Sequence, residues 1–256
     1  MKKFGAIYSK ELKYYFTSVT AYVAITVFLV LSGYFFFSIF RVYNLLSLQA
    51  IKNNDFSGNL NLIDGVMRPL MGNISVILLI LLPLLTMRLL AEERKQGTFE
   101  LLLTYPVTDF AVVAGKYFAA LTVYAVMLAS TFLYPILLLI FTDPEIIPLM
   151  AGYLGLFLMG ASFISIGTFF SSTTSNQMVA GVMTFGLTLL FLIIGWTAPF
   201  AGPTVSAILS EFSILFHLDS FTKGIIDTRD ISYYLFMSGF FFFLTLKSLE
   251  SNRWKI

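Results

Sequence analysis

Six long apolar runs dominate the sequence, and each has about the length that a helix needs to cross a lipid bilayer. A run of roughly 20 apolar residues spans the hydrocarbon core as an α-helix, which satisfies its own backbone hydrogen bonds there. The runs are 18–40, 71–90, 110–141, 148–170, 178–196 and 231–249. Charged residues make up only 12% of the chain, and they lie in loops or near the ends of the runs. The sequence therefore predicts an all-α, polytopic membrane protein with six transmembrane helices, and it excludes a soluble domain.

The distribution of positive charge predicts how these spans are oriented. Lysine and arginine are enriched in the cytosolic loops of membrane proteins. If the N-terminus is cytosolic, eleven of the 16 Lys and Arg residues lie on the cytosolic side and five on the other. Both ends of the chain, and the loop between the second and third spans, are therefore predicted to be cytosolic. Residues 1–256 are predicted to form one transmembrane domain.

Two segments outside the spans also have apolar patterns. Residues 1–17 carry apolar side chains at helical spacing with lysines elsewhere, which predicts an interfacial amphipathic helix whose lysines face anionic lipid headgroups. Positive flanking of the first span would explain the same lysines. Residues 197–230 are too apolar for a free loop and are broken at Pro199, Pro203 and Gly224. We expect short external re-entrant or interfacial helices there, and the alternative is a folded external loop with no gating role.

The longest charged interval is 91–116, between the second and third spans. Within it, residues 91–104 have the pattern of a short amphipathic helix, because apolar side chains occupy one face. The opposite face carries the carboxylates of Glu92, Glu93 and Glu100. This pattern suits either an ordinary solvated loop or a lever that a cytosolic partner moves.

Two residues in this interval constrain the helix. Pro106 is predicted to end it, because proline lacks the backbone N–H and clashes with the preceding turn. Gly97 costs a helix interior about 1 kcal/mol relative to alanine. Its presence therefore suggests a bend or a close approach of another backbone at this position.

The run 83–107, PLLTMRLLAEERKQGTFELLLTYPV, followed by the tripeptide GKY at 115–117, resembles the ABC-2 type transporter permeases. It is most similar to the permease subunit associated with gliding motility. In that family the E-E-x-x-x-G-T-x-E-x-L-L-x-x-P-V segment is the cytosolic coupling helix, which docks into the ATPase subunit. The resemblance implies that helix 91–104 couples this chain to an ATPase. The coupling residues that it implies are Glu92, Glu93, Arg94, Gly97, Thr98, Glu100 and Pro106.

The resemblance also implies the partners of the chain. These are two copies of an ABC ATPase subunit, which would hold ATP and Mg, and a second permease subunit, identical or related. The location that it implies is the bacterial inner membrane, in contact with lipid. It further implies a pair of short external helices before the last span. Nucleic acid is not an expected partner, because a net charge of +2 is too small to favour it.

The sequence itself carries no motif for ATP hydrolysis. A phosphate-binding loop requires G-x-x-x-x-G-K-[ST]. Phe110 stands where the first glycine of such a loop would precede Gly115 and Lys116, and Tyr117 replaces the serine or threonine. We therefore expect ATP to be hydrolysed on another chain, and we interpret Lys116 as an anchor at the cytosolic start of the third span.

No catalytic, cofactor or metal site is predicted in this chain. It contains no cysteine, and His217 is its only histidine, without a second ligand at a suitable spacing. Asp227, Arg229 and Asp230 are predicted to form a surface cluster at the start of the sixth span. No nucleophile with an oriented base is recognisable in the sequence.

Taken together, these patterns predict the permease subunit of an ATP-driven ABC transporter, and the resemblance implies an exporter. An ion-coupled carrier usually needs an ionisable residue near the membrane midplane, which the predicted spans lack. The alternative is a structural component of a motility or envelope machine that moves no substrate. The substrate class stays open, since lipid, polysaccharide, peptide and drug all suit an apolar, aromatic-rich cavity.

Overall fold

The computed structural model describes residues 2–52, 61–98, 107–141, 145–197 and 200–253. Within these ranges the regular structure is helical, which confirms the all-α prediction. A π-helical turn, Ile63–Met67, directly precedes the third α-helix. The α-helices are α1 Lys2–Thr17, α2 Val19–Lys52, α3 Arg68–Thr86, α4 Ala91–Lys95, α5 Asp109–Ser130, α6 Leu133–Phe141, α7 Ile146–Thr173, α8 Gln177–Thr197, α9 Pro203–Phe212, α10 Ile214–Thr222 and α11 Thr228–Arg253.

Six helical segments of the described chain are long and apolar enough to cross a membrane, which confirms the predicted number of spans. They are Ala21–Ala50, Ile63–Lys95, Asp109–Ile140, Ile146–Thr173, Gln177–Thr197 and Thr228–Ser251. The first and second segments are longer than predicted and include part of the polar interval between them. Hydropathy marks only the part of a helix that suits lipid, so it misses polar turns that extend the same helix.

The third span is interrupted by a short turn near Pro135. Helix α5 ends at Ser130, and α6 begins at Leu133 after a two-residue turn. Pro135 then lies in the first turn of α6, where a missing backbone N–H breaks no intrahelical hydrogen bond.

Helix α7 is the centre of the bundle, because α3, α5, α8, α10 and α11 all pack against it. Its glycines permit this packing. A Cβ atom at Gly160 would collide with the ring of Tyr124 from α5, and one at Gly167 would collide with Thr86 from α3. Gly186 in α8, by contrast, has no neighbouring atom within 4 Å of a Cβ. Close packing around glycine is therefore found at these positions of the fourth span and not at Gly186 of the fifth.

Buried tyrosines connect neighbouring helices through the backbone. Tyr15 donates to the carbonyl of Leu85 at 3.0 Å, and Tyr117 donates to that of Ala161 at 3.2 Å. Tyr124, fully buried, donates to the carbonyl oxygen of Leu156. Each hydroxyl donates its hydrogen bond to a backbone carbonyl of another helix. These bonds therefore join α1 to α3 and α5 to α7.

Two short helices, α9 and α10, precede the last span, as predicted for residues 197–230. The hydroxyl of Tyr233 in α11 donates to the carbonyl of Phe212 at 2.9 Å, and Tyr234 donates to that of Ile214 at 2.8 Å. These carbonyls lie at the end of α9 and the beginning of α10. The junction between the two short helices is thereby fastened to the first turns of α11.

Candidate functional site

Helix α4 is short, and it forms the C-terminal end of the second membrane-length segment, Ile63–Lys95. It covers Ala91–Lys95, and Gly97 follows with φ of 68°, a conformation that favours glycine. The bend suggested by the sequence is present at this residue. Glu100 and Pro106 fall within 99–106, outside the described residues, so the predicted helix end at 104 stays a prediction.

Ser171, in the last turn of α7, holds the turn that leads into α4. Its hydroxyl accepts hydrogen bonds from the backbone N–H groups of Leu90 at 2.9 Å and Ala91 at 3.0 Å. The same hydroxyl donates to the carbonyl of Met87 at 2.9 Å. One buried side chain therefore satisfies three backbone groups between the end of α3 and the start of α4, where helical partners are missing. This arrangement fixes α4 to the central helix of the bundle.

Lys116 lies about two turns into α5 and connects three helices. Its Nζ atom is 2.8 Å from Oε1 of Glu11 in α1 and 3.0 Å from Oε1 of Glu93 in α4. The lysine side chain is 2% exposed, and the two carboxylate side chains are 11% and 16% exposed. The interpretation of Lys116 as a boundary anchor is therefore wrong, because its ammonium group turns inward to two carboxylates instead of outward to water or headgroups.

A second set of contacts joins α1 to the segment that precedes α4. The guanidinium of Arg88 lies 5.0 Å from the ring centroids of both Tyr14 and Tyr15, and it donates to the hydroxyl of Ser18 at 3.1 Å. Tyr14 in turn donates to the Glu92 carboxylate at 3.1 Å. Burial and the negative charge of Glu92 raise the pKa of Tyr14, and burial raises that of Tyr15. Both hydroxyls therefore stay protonated near neutral pH and act as donors.

These side chains surround a cavity of about 300 Å³ between α1, the α3–α4 turn and α5. Charges of both signs line it, so it suits a polar group more than an apolar one. Its lining residues are Lys10, Glu11, Tyr14, Tyr15, Arg88, Leu89, Glu92, Glu93, Gln96, Thr98 and Lys116. Among the described residues, no group of His, Cys, Asp or Glu is placed to hold a metal ion.

The predicted coupling residues that the structure describes differ in their exposure to solvent. Glu92 and Glu93 are partly buried and bind Tyr14 and Lys116, while Arg94 is partly buried. Gly97 and Thr98 are exposed, as are the two residues before them. Among the described residues 91–98, the exposed part is therefore C-terminal, and the carboxylates of Glu92 and Glu93 turn toward α1 and α5. The sequence pattern could not predict which of these residues are buried and which are exposed, because the partners of the carboxylates are remote in the chain.

At the other end of the bundle, Asp230 is buried, so its prediction as part of a surface cluster is wrong. His217 Nδ1 lies 2.6 Å from Asp230 Oδ1, and Nε2 lies 3.0 Å from the carbonyl oxygen of Glu211. The ring of Tyr233 stacks on the imidazole with 4.0 Å between centroids. Asp230 occupies the first turn of α11 on the side that faces α10. The contact between His217 and Asp230 joins α10 to the last span. The sequence pattern does not reveal this contact, because the two residues are 13 positions apart.

Asp219, in α10, links the second span to the same end of the bundle. Its carboxylate binds Arg68 and Lys223, each at 2.5 Å. Burial alone raises the pKa of Asp219, but the hydrogen bonds from Lys223 and Arg68 outweigh it and hold the pKa below its usual value. A carboxyl of this kind stabilises the folded state above its unfolded-state pKa of about 3.9, and the stabilisation is lost as pH falls through the lower folded-state value.

We therefore expect Asp219→Asn to lower the midpoint of thermal unfolding by a similar amount from pH 8 down to pH 5, and by less below about pH 4. The effect is expected to stay below about 1 kcal/mol, because the pair is partly exposed and screened by solvent. Unfolding scans of the detergent-solubilised protein at several pH values measure it. Glu250→Gln, which breaks the exposed pair with Lys247, is the matched control. An Asp219→Asn effect that grew on acidification would contradict this account.

These features define a multi-pass membrane protein with a short polar helix anchored at one end of its bundle. The sequence model described as ABC-2 family transporter protein matches residues 43–246, which is most of the chain. The chain belongs to this family, and the resemblance noted in the sequence is confirmed at that level. It is accordingly the membrane domain, a permease subunit, of a transporter type whose ATP hydrolysis is carried out by associated ABC ATPase subunits. No curated protein matches the sequence.

Proposed function

We propose that this permease subunit is driven by separate ATPase subunits that dock on the segment 91–104, and that it works as an exporter. The observation that carries the proposal is the attachment of α4 to three other helices by buried polar contacts. Ser171 joins the start of α4 to α7, and Lys116 joins Glu93 to α5 and α1. A force applied to α4 would therefore reach the centre of the bundle instead of bending a free loop.

The proposed cycle begins when ATP binding closes the ATPase subunits against each other. Helix α4 would be displaced with them and would carry α3, to which it is joined by one short turn, and α5, through Lys116. Because both helices pack on α7, their displacement would reshape the pathway between two permease copies. The chemistry of ATP hydrolysis, with Mg, takes place on the partner, and this chain supplies no catalytic group.

The proposed assembly contains two ATPase subunits and two permease subunits, the second permease being identical or related. It lies in a bacterial inner membrane with both ends of each permease chain in the cytosol, as the distribution of lysine and arginine favours. The resemblance of residues 83–107 favours a role in gliding motility. The proposed contact set is that predicted from the sequence: Glu92, Glu93, Arg94, Gly97, Thr98, Glu100 and Pro106.

The first test is the recovery of an ATPase with this chain in mild detergent, followed by identification of the partners by mass spectrometry. Replacing Glu92, Glu93 and Glu100 together by glutamine is expected to lower ATPase recovery at least about tenfold, or about 1.4 kcal/mol. The reason is that the docking segment loses three carboxylates and with them its negative charge. Amounts of inserted permease should be unchanged.

Glu250→Gln, which removes one carboxylate far along the chain in α11, is the control and should recover the ATPase as the parent does. Unchanged recovery of the ATPase with the triple variant would refute docking through this segment. In the reconstituted complex, ATPase activity that responds to lipid or substrate supports transport. A complex that hydrolyses ATP without any such response would instead support the structural role in a motility or envelope machine.

A further inference from the structure

We propose that Lys116 is a positioning residue that locks α1 to α4, so that the N-terminal helix belongs to the coupling apparatus. This inference rests on the proposed function, since it assigns a second helix and a specific side chain to the same task. It differs from the interpretation of residues 1–17 as a lipid-bound interfacial helix, because one face of α1 is bound by protein.

The contact between α1 and α5 is close enough to exclude lipid. A Cβ atom at Gly115 would collide with the side chain of Ile7 and would lie 3.3 Å from the backbone nitrogen of Tyr8. Tyr8 and Thr122 share a hydrogen bond of 2.9 Å on the same side of α1. Glu11, one turn farther along, then reaches Lys116. Helix α1 therefore lies against α5 along successive turns, up to the ion pair of Glu11 with Lys116.

The ion pairs couple the positions of α1 and α4, because the ammonium group of Lys116 binds one carboxylate on each of these helices. An exposed ion pair can exchange its partner for water with little change in free energy. A buried charge has no such replacement, so separation of either carboxylate from Lys116 would leave an uncompensated charge. Glu11 and Glu93 must therefore stay within reach of the same Nζ atom. When α4 moves, α1 is constrained to move with it.

The contacts of Arg88 support the same conclusion independently of Lys116. Arg88 lies on the rings of Tyr14 and Tyr15, and Tyr14 binds Glu92. Helix α1 is thus joined both to the α3–α4 turn and to α4 itself. Lys116 differs from these contacts in that it alone also ties the two helices to α5, so it sets the position of the pair relative to the third span.

The test uses the absence of cysteine from the sequence, which allows spin labels without a prior cysteine removal. Labels at Lys13→Cys and Lys95→Cys, both exposed and on α1 and α4, report the distance between these helices by pulsed electron paramagnetic resonance. The sample is the permease alone in lipid nanodiscs. A single narrow distance distribution is expected for the parent and for Lys247→Met, which disrupts an exposed pair.

The decisive variant carries the two substitutions Glu11→Gln and Lys116→Met in the same chain, and it is called the paired variant. Because it removes one negative and one positive charge, the net charge of the cluster stays at −1, and Glu93 is the carboxylate that loses its partner. A broader distribution, shifted to longer distance, is expected in this variant and in Lys116→Met alone. Lys116→Arg, which keeps two donors for the two carboxylates, should restore the narrow distribution. A parent-like distribution in the paired variant would overturn the proposal.

A second measurement separates this inference from the docking proposal. The paired variant should recover the ATPase as the parent does, while substrate- or lipid-stimulated ATP hydrolysis falls about tenfold, a typical size for coupling between two sites. Full stimulation in this variant would also overturn the positioning role. If the parent itself recovered no ATPase, the docking proposal would fail, whereas the distance measurement on the permease alone would still decide whether Lys116 locks α1 to α4.

Discussion

Replacing Ser171 by alanine is expected to lower the free energy of unfolding by about 2–3 kcal/mol, because a buried donor or acceptor without a partner costs about 1–3 kcal/mol. The variant loses the acceptor for the N–H groups of Leu90 and Ala91 and the donor for the carbonyl of Met87. The start of α4 would then lose its attachment to α7. Denaturant or thermal unfolding in detergent measures the loss, and hydrogen exchange of the two amides localises it.

The neighbouring serine provides the control for this prediction. Ser172 is equally buried, but its hydroxyl donates only to the carbonyl of Phe169 in its own helix. Ser172→Ala removes a hydroxyl of the same size without leaving backbone groups of another segment unpaired, so its effect should be below about 1 kcal/mol. Equal destabilisation by the two substitutions would show that Ser171 does not hold the turn before α4.

Gly160→Ala is expected to destabilise the bundle by about 1–3 kcal/mol, as overpacking of a filled core does. The added methyl group would enter the space of the Tyr124 ring. That ring cannot turn aside easily, because it is fully buried and its hydroxyl binds the carbonyl of Leu156. Helices α5 and α7 would have to separate, and the midpoint of thermal unfolding in detergent should fall accordingly.

Gly186→Ala, in the fifth span, is the matched control, because no atom lies within 4 Å of its added methyl group. It should leave stability unchanged or raise it slightly, since alanine favours a helix over glycine. The double variant Gly160→Ala with Tyr124→Leu should recover part of the loss by removing the obstructing ring. A parent-like midpoint for Gly160→Ala alone would show that the contact between α5 and α7 is looser than the structure describes.

The number and order of the spans could be predicted from the sequence, because each depends on a local run of apolar residues. The short helices before the last span could be predicted for a similar reason, since proline and glycine act on their own segment. The extension of the first span to Ala50 could not be predicted. Polar residues at a helix end carry no apolar signal, although the backbone continues its hydrogen bonding.

The sequence could predict the bend at Gly97 but not the contacts around it. It assigned Lys116 to the membrane boundary and Asp230 to the surface. Each of these residues is bound by a partner that folding brings to it: Glu11 is 105 positions from Lys116, and His217 is 13 from Asp230. A charge near a span end looks the same in the sequence whether it faces water or a buried partner.

The tyrosine-to-carbonyl hydrogen bonds restrict how this bundle can move. In lipid, one apolar helix could slip along another with little change in hydrophobic contact. Slip by one turn, about 5.4 Å, would carry the hydroxyls of Tyr15, Tyr117 and Tyr124 away from their acceptors and leave them unpaired in an apolar medium. Rocking of whole helix groups keeps every such bond. We therefore expect the helices that these bonds join to keep their axial register when the bundle moves.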